Sequence, residues 1–556
     1  MKRPSSPATP WLLLLLPTLG LMTMAARPLR ENYFEISKQL EIMNALFREL
    51  NIFYVDELQP GEIMETGIRA MVNSLDPYTV YYPESRMEDL RFMTTGEYGG
   101  VGASVQDMSG HITLVDVHPG FPADRAGLRI GDILLEVDGL SLDGLGIDQV
   151  SERLQGATGS EVEIQYLPLG SSAPKSLVIV REKIKVPAVP FSGIVGDSTA
   201  YVLLTSFTRN CAGEVRQAIK ALKDSVGIHS VILDLRGNGG GLLNEAVTMV
   251  NQFIPQGEEV VKTKGKVQDW DKVYSTRGTP IVETDPVFVL VDANSASASE
   301  IVAGTLQDLD RAVIIGQESF GKGLVQQNKD LAYGTKLKVT VAKYYTPSGR
   351  CIQRLHYSRD GAEAIPDSLV KTFYTRNGRP VQDGQGIQPD IEIEPAFYGH
   401  VLEGLFASGT IFRYVNDFVS AHDSIGDAAS FQLASEDWDE FVAFAAGDTA
   451  LHYPSATSSA FEDVLTTAKE ERYWNLDSVA FAQIQTLLAP QRERDILAFR
   501  EEIQDAIEQE IVMRYHLQPG VIEWTLPHDP AVNKALEILA DGLASSILSG
   551  PASTEK

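Results

Sequence analysis

The chain has 556 residues, of which 75 are acidic and 47 basic, for a formal charge of −28. That balance argues against a nucleic-acid binder, because phosphate contacts need clustered Lys and Arg. A hydrophobic share of 44% with 22% charged residues is that of a folded protein, and the length implies several domains because single cores seldom exceed about 250–300 residues.

Residues 1–26 have the pattern of an export signal. Lys2 and Arg3 give a positive start, Trp11 to Leu16 begin an apolar stretch that passes Pro17 to Leu21, and Thr23-Met24-Ala25 offers small residues for cleavage. An extracytoplasmic location, periplasmic or equivalent, is therefore expected, with an uncleaved N-terminal anchor as the alternative. No other segment approaches about 18 consecutive apolar residues, so no stable membrane span is expected in the mature chain. The only cysteines, Cys211 and Cys351, are expected as two free, partly buried thiols, and their isolation supports neither cysteine catalysis nor zinc.

From 27 to 95 the pattern is helical. Ile36, Leu40, Met43, Leu46, Phe47 and Leu50 recur at three- and four-residue steps, a face expected to pack as core. Between 96 and 183 the texture becomes glycine-rich and β. A loop around Gly99-Gly100-Val101-Gly102-Ala103 enters a strand, and strands are expected over 112–117, 131–137, 161–166 and 176–180. Asp138-Gly139 marks a tight turn, and short helices are expected over 123–128 and 150–154. This segment resembles a PDZ domain of the permuted form found in bacterial proteases. The residues that carry the likeness are Gly100-Val101-Gly102-Ala103, Pro122-Ala123-x-x-Ala126-Gly127-Leu128-x-x-Gly131-Asp132-Ile133-Leu134 and Val137-Asp138-Gly139. The resemblance implies that Gly100, Val101, Gly102 and Ala103 present backbone N–H groups to a peptide C-terminus.

Over 184–396 strands and helices alternate. Strand 200–205, helix 212–222, strand 230–235, a loop with four glycines over 236–241, helix 243–253, strand 287–291, a helix after Ser299 and strand 312–315 predict an α/β layer. Beyond 397 the pattern is helical to the end, with a dimer surface on the terminal helices as one use for it.

Three stretches carry chemistry. Asn294-Ser295-Ala296-Ser297-Ala298-Ser299-Glu300 lies between a strand and a helix. Ser297-x-x-Glu300 matches a capping box there, and most serines in such places are only caps. No Gly-x-Ser-x-Gly elbow, no His-Glu-x-x-His helix and no histidine between 231 and 327 accompanies it. Lys322 sits in Gly316-x-x-x-x-Gly321-Lys322, which matches a Walker loop until Gly323 takes the place of its Ser or Thr. Ser319-x-x-Lys322 has serine–lysine spacing, but Gly321 and Gly323 oppose the helix that it requires.

Taken together, Leu233-Asp234-Leu235-Arg236-x-Asn238-x-Gly240-Gly241, Asn294 to Gly304 and Phe320-Gly321-Lys322-Gly323-x-x-Gln326 closely resemble the carboxyl-terminal processing peptidases, over about residues 71–391. The resemblance implies Ser297 as nucleophile, Lys322 as general base, Gln326 orienting the lysine, and Gly241 and Ala298 as oxyanion amides. It implies a crotonase-like α/β core, no metal or cofactor, and protein substrates recognised by their C-termini. On a strand, Lys322 and Gln326, four apart, would share one face. One departure stands out: Gly239 replaces the family's usual proline. A PDZ scaffold on a dead protease-like fold is the main rival, and a hydratase-like acyl-thioester enzyme a weaker one.

Overall fold

The computed structural model describes residues 15–108, 110–358, 361–453 and 455–550, with side chains from residue 33 onward. The leader expected over 1–26 therefore falls largely outside the described residues. Among these, no helix is long and apolar enough to cross a membrane.

The chain divides into two compact units, 1–81 and 82–556. The first holds α1 (Leu15–Phe53) and α2 (Pro60–Asn73), the latter opened by a proline whose missing N–H costs nothing at that position. Met43 and Phe47 are half-buried, and Met43 Cε lies 3.6 Å from where a Cβ on Gly67 would stand. Leu50 is half-buried as well, but the other three residues of the expected core face are not: Ile36, Leu40 and Leu46 are 56%, 60% and 54% exposed. Two helices cover only one flank of each other, so a wide apolar stripe cannot all be hidden within this unit.

In the second unit α3 (Met87–Thr95) leads into β1 (Glu97–Gly100). An antiparallel sheet follows in the order β2 (Ala103–Met108), β3 (His111–Val117), β4 (Ile133–Val137), β5 (Glu161–Leu167) and β6 (Lys175–Val180). Asp138 and Gly139 both take positive φ, 51° and 71°, as a type I′ hairpin turn requires. Helices α4 (Pro122–Arg125) and α5 (Ile147–Leu154) flank this sheet, and Leu114, Leu134, Val150, Val162 and Ile164 form its core. Strand β7 (Glu182–Lys185) returns to pair with β1.

The second sheet runs β8 (Phe191–Val195), β9 (Thr199–Leu203), β10 (Ser230–Asp234), then β13 (Val287–Val291), β14 (Val313–Gly316) and β17 (Ile391–Glu392), all parallel after the antiparallel β8. Strands β11 (Glu259–Gly265) and β12 (Lys272–Ser275) interrupt that count, and with β15 (Leu324–Asp330) and β16 (Lys336–Tyr345) they build a separate antiparallel sheet. Helices α6 (Cys211–Ser225), α7 (Leu243–Val250) and α8 (Ala298–Asp308) join neighbouring parallel strands. Sequential right-handed crossovers advancing in one direction place all three on the same face. Every residue of β10 and β13 is buried, as strands covered on both faces must be. One face carries Val231, Leu233, Val289 and Val291 against Ile301 and Leu306. The opposite face carries Ile232, Phe288, Leu290 and Ile315, which pack against Val532, Ala535 and Ile538. Those last three belong to α16 (Pro530–Ala540), so a helix near the end of the chain completes the core layer.

Of the remaining C-terminal helices, those from α9 (His400–Ala407) to residue 447 and α15 (Arg500–Thr525) enclose a core of their own around Leu405, Val415, Trp438, Phe441 and Ile507. Cys211 is buried and Cys351 partly buried, and both are free thiols, as expected.

Candidate active site

Strands β10 and β13 end side by side, at the carboxyl edge where parallel α/β sheets hold ligands. The loop after β10 is pinned by Asn238, which is fully buried. Its side chain donates to Leu204 O (2.8 Å) and accepts from Gly240 N (2.9 Å). Its carbonyl accepts from Ala296 N (3.0 Å) and Ser299 Oγ (2.8 Å), which ties this loop to the turn after β13. Ser295 Oγ donates to Leu235 O at 2.8 Å across the same junction. Gly240 has φ 99°, and a Cβ there would stand 2.6 Å from Ala296 O and 2.8 Å from Ala298 N, so only glycine lets the two backbones approach this closely. At Gly239 a Cβ meets nothing within 4 Å, so the departure from proline sits in open space while Asn238 anchors the loop on either side.

Ser297 takes φ 57° and ψ −108°, outside the regions where L-residues rest. Such a conformation costs about 1–3 kcal/mol and persists only where the surroundings enforce it. Only half of the predicted capping box forms. The Glu300 carboxylate accepts the Ser297 N–H at 2.7 Å, whereas the Ser297 hydroxyl makes no cap bond to α8. The hydroxyl thus stands at the positive end of α8 without being used by the helix.

The same carboxylate reaches the lysine loop. Fully buried, Glu300 accepts from Ser319 Oγ (2.6 Å) and Gly321 N (2.7 Å) on Oε1, and from Lys322 N (2.9 Å) and Ser297 N on Oε2. Four donors fill its four lone-pair positions, as suits the ionised form. Burial pushes its pKa up, and the four donors pull against that. On the carbonyl side the Tyr344 hydroxyl lies 3.0 Å from Ser297 O and 2.7 Å from Lys322 O, so its single proton is shared between them. Residues 297 and 322 are therefore tied twice, N–H to N–H through Glu300 and carbonyl to carbonyl through Tyr344.

A cavity of about 910 Å³ opens above this junction. Ser297, Ala298 and Gly239 to Gly241 line one part of it, and Lys322, Gln326, Asn328, Lys338 and Tyr344 another. The structure thus gathers Ser297, Lys322, Gln326, Gly241 and Ala298 into one cavity. The reason expected for lysine and glutamine facing alike needs correction. Lys322 precedes β15, which starts at Leu324, so strand alternation cannot aim it; the loop through Gly321 (φ 86°) does. Gln326 Nε2 donates to Thr340 Oγ1 at 3.2 Å. Gly100, Val101, Gly102 and Ala103 do not line this cavity; they join β1 to β2, where Gly102 (φ 80°) packs so closely on Phe121 that a Cβ would stand 2.6 Å from that residue's Cβ. Among the described residues no group of three His, Cys, Asp or Glu side chains could hold a metal ion.

Residues 198–361 match Peptidase family S41, residues 113–167 a PDZ domain, and residues 401–539 the C-terminal helical domain of PDZ-proteases. A carboxy-terminal-processing protease of Bartonella bacilliformis is 34% identical over 355 residues, which span 63% of this chain and 80% of that protein. A chloroplastic C-terminal processing peptidase of Tetradesmus obliquus is 34% identical over 324 residues, 54% of this chain and 69% of that one. The chain belongs to the carboxyl-terminal processing peptidase family. Among solved structures, the photosystem II D1 C-terminal processing protease is 29% identical, with a TM-score of 0.36, over 66% of this chain and 96% of that one.

This serine-type peptidase carries one tie that its sequence did not announce. Arg236, at the start of the glycine loop, pairs with Asp234 (2.6 Å) and with Asp529 (2.7 Å). Burial lowers the guanidinium pKa, and the two carboxylates more than offset this, holding it above its usual value. Asp529 Oδ1 also caps α16 by accepting from Ala531 N (2.9 Å) and Val532 N (3.0 Å). Asp529→Ala is expected to lower stability to urea by about 3 kcal/mol, through loss of a cap and of a buried charge partner. Asp529→Asn keeps the cap and should recover about 1 kcal/mol of this; equal losses in the two variants would contradict the capping role.

Proposed function

We propose that the peptidase cleaves proteins near their C-termini through an acyl-enzyme on Ser297, with Lys322 as general base. The observation that carries this is the paired tethering of residues 297 and 322 by Glu300 and Tyr344 at one cavity. In the first step the Ser297 hydroxyl gives its proton to the neutral Lys322 amine as Oγ bonds to the scissile carbonyl carbon. The carbonyl oxygen becomes an oxyanion, and the backbone N–H groups of Gly241 and Ala298 are its donors, backed by the α8 N-terminus. Collapse expels the amine fragment, which takes the proton from Lys322. Water, deprotonated by the same lysine, then attacks the acyl carbon, and the bond to Ser297 Oγ breaks as that oxygen takes the proton back from the lysine. Gln326, opposite Thr340 on the cavity wall, is assigned to position the lysine.

Substrate arrives through the PDZ segment. Strand β2 is an edge strand with α5 beside it, an arrangement to which an extended peptide can add as a further strand. Gly100, Val101, Gly102 and Ala103 are assigned to its terminal carboxylate. The parallel sheet, with an amide-rich loop after one strand and the next turn facing it, suits a crotonase-like core. Export is assigned to residues 1–26, which supports work on extracytoplasmic proteins.

The test is a folded reporter with a flexible C-terminal tail, offered with a free or an amidated terminus. Wild type should shorten the free-ended form, about tenfold more slowly when amidated, since a charge-assisted contact is lost. Binding without cleavage would instead establish a scaffold.

A further inference from the structure

The cavity carries a charge balance opposite to that of the chain. Among the described residues its charged lining is Arg209, Lys322 and Lys338 against Glu245, in a chain of formal charge −28. Glu245 is engaged elsewhere: Oε1 accepts Asn210 N at 3.0 Å, and Oε2 accepts Ala212 N at 3.2 Å. Arg209 is exposed to water, and Lys322 has its assigned work.

Lys338 differs from both. It is half-buried on β16, burial lowers its pKa, and among the described residues no carboxylate acts against that effect. Lysines usually extend along a surface until the amine reaches water. An amine kept partly dry, without an anion beside it, gains from a counter-ion that arrives with a ligand. The register shows which wall it occupies. Gln326 stands opposite Thr340, and Asn328 opposite Lys338. Alternate residues of a strand share a face, so these four form one polar patch, reaching about 7 Å along β15 beyond Gln326. Gln326, Asn328 and Lys338 all line the cavity.

We propose that Lys338 is a specificity-determining residue, which binds a carboxylate of the peptide substrate within the cleft. The proposal rests on the assignment of this cavity as the peptidase centre. An extended substrate lying along β15 turns alternate side chains to the patch. A carboxylate there, from an Asp or Glu side chain or from the chain end itself, pairs with the Lys338 amine, with the Asn328 amide beside it. The net field of an acidic protein repels such a substrate at a distance. The contact therefore acts after encounter, on affinity and not on association rate.

The experiment uses the full chain and peptides carrying Asp, or its uncharged isostere Asn, at successive positions around the cut, each with a free and an amidated terminus. The readout is the Asp/Asn ratio of kcat/KM, taken within each variant so that partial loss of folded protein cancels. Wild type should favour Asp at one position by about tenfold, the size of a charge-assisted contact in a half-dry site. Lys338→Gln should bring that ratio to about one, and Lys338→Glu should invert it and favour a lysine at the same position. If the preference that depends on Lys338 follows amidation and not Asp, the bound group is the terminal carboxylate, and the proposal stands with that source. A wild-type Asp/Asn ratio near one at every position together with an amidation effect that is the same in Lys338→Gln, or an Asp preference that Lys338→Gln leaves unchanged, overturns it. Failure of the underlying assignment shows separately, as undiminished cleavage by Ser297→Ala, and would remove both.

Discussion

Ser297→Ala is expected to lower kcat for tail cleavage by roughly 10⁴- to 10⁶-fold, the loss that follows removal of a nucleophile from a set that acts as a unit. Stability should stay within about 0.5 kcal/mol of wild type, because the hydroxyl makes no cap bond and alanine keeps the Cβ that the turn already holds. Lys322→Met should match that loss and add little to it in the double variant, since each residue is useless without the other. The measurement is single-turnover cleavage beside a urea titration. Losses that multiply in the double variant would mean that the two residues act independently.

The second large effect is expected at Glu300, a residue that touches no substrate in this account. Glu300→Gln keeps the shape but offers one oxygen where four donors converge, so at least one of Ser297 N, Gly321 N, Lys322 N and Ser319 Oγ goes unmatched. Each buried donor left without a partner costs about 1–3 kcal/mol. Activity should fall about 10²-fold in kcat with little change in KM, as expected when nucleophile and base drift apart by a fraction of an ångström while binding surfaces persist. Ser297→Ala therefore loses activity alone, whereas Glu300→Gln loses activity and stability together. A Glu300→Gln enzyme with kcat within a few-fold of wild type would show that the shared carboxylate does not set the geometry.

Much of this was legible in the residues. The alternation of buried strands and amphipathic helices over 199–316 announced the parallel sheet, and Asp138-Gly139 announced a turn that only such residues make. Ser297 was legible as a corner residue. What local pattern could not convey was its strained backbone, because φ there is enforced by Glu300 and the Asn238 loop. Glu300 itself looked like half of a capping box, since its second set of partners, at Ser319, Gly321 and Lys322, lies about twenty residues on. Tyr344, Lys338 and Asp529 had no local signal at all. Each matters through a partner brought near by topology: a strand register for Lys338, and for Asp529 a helix that returns to the far face of the sheet. The apolar stripe of α1 misled for a related reason. Periodicity reports that a face is apolar and not whether enough structure exists to cover it.

The most direct test is to trap the acyl-enzyme. Wild-type protein is mixed with a peptide ester, quenched in acid within milliseconds, digested and examined by mass. The acyl group should sit on Ser297, and the adduct should be absent from Ser297→Ala and strongly reduced in Lys322→Met. An adduct on Ser295 or Ser299, or cleavage by Ser297→Ala at the wild-type rate, would contradict the assignment.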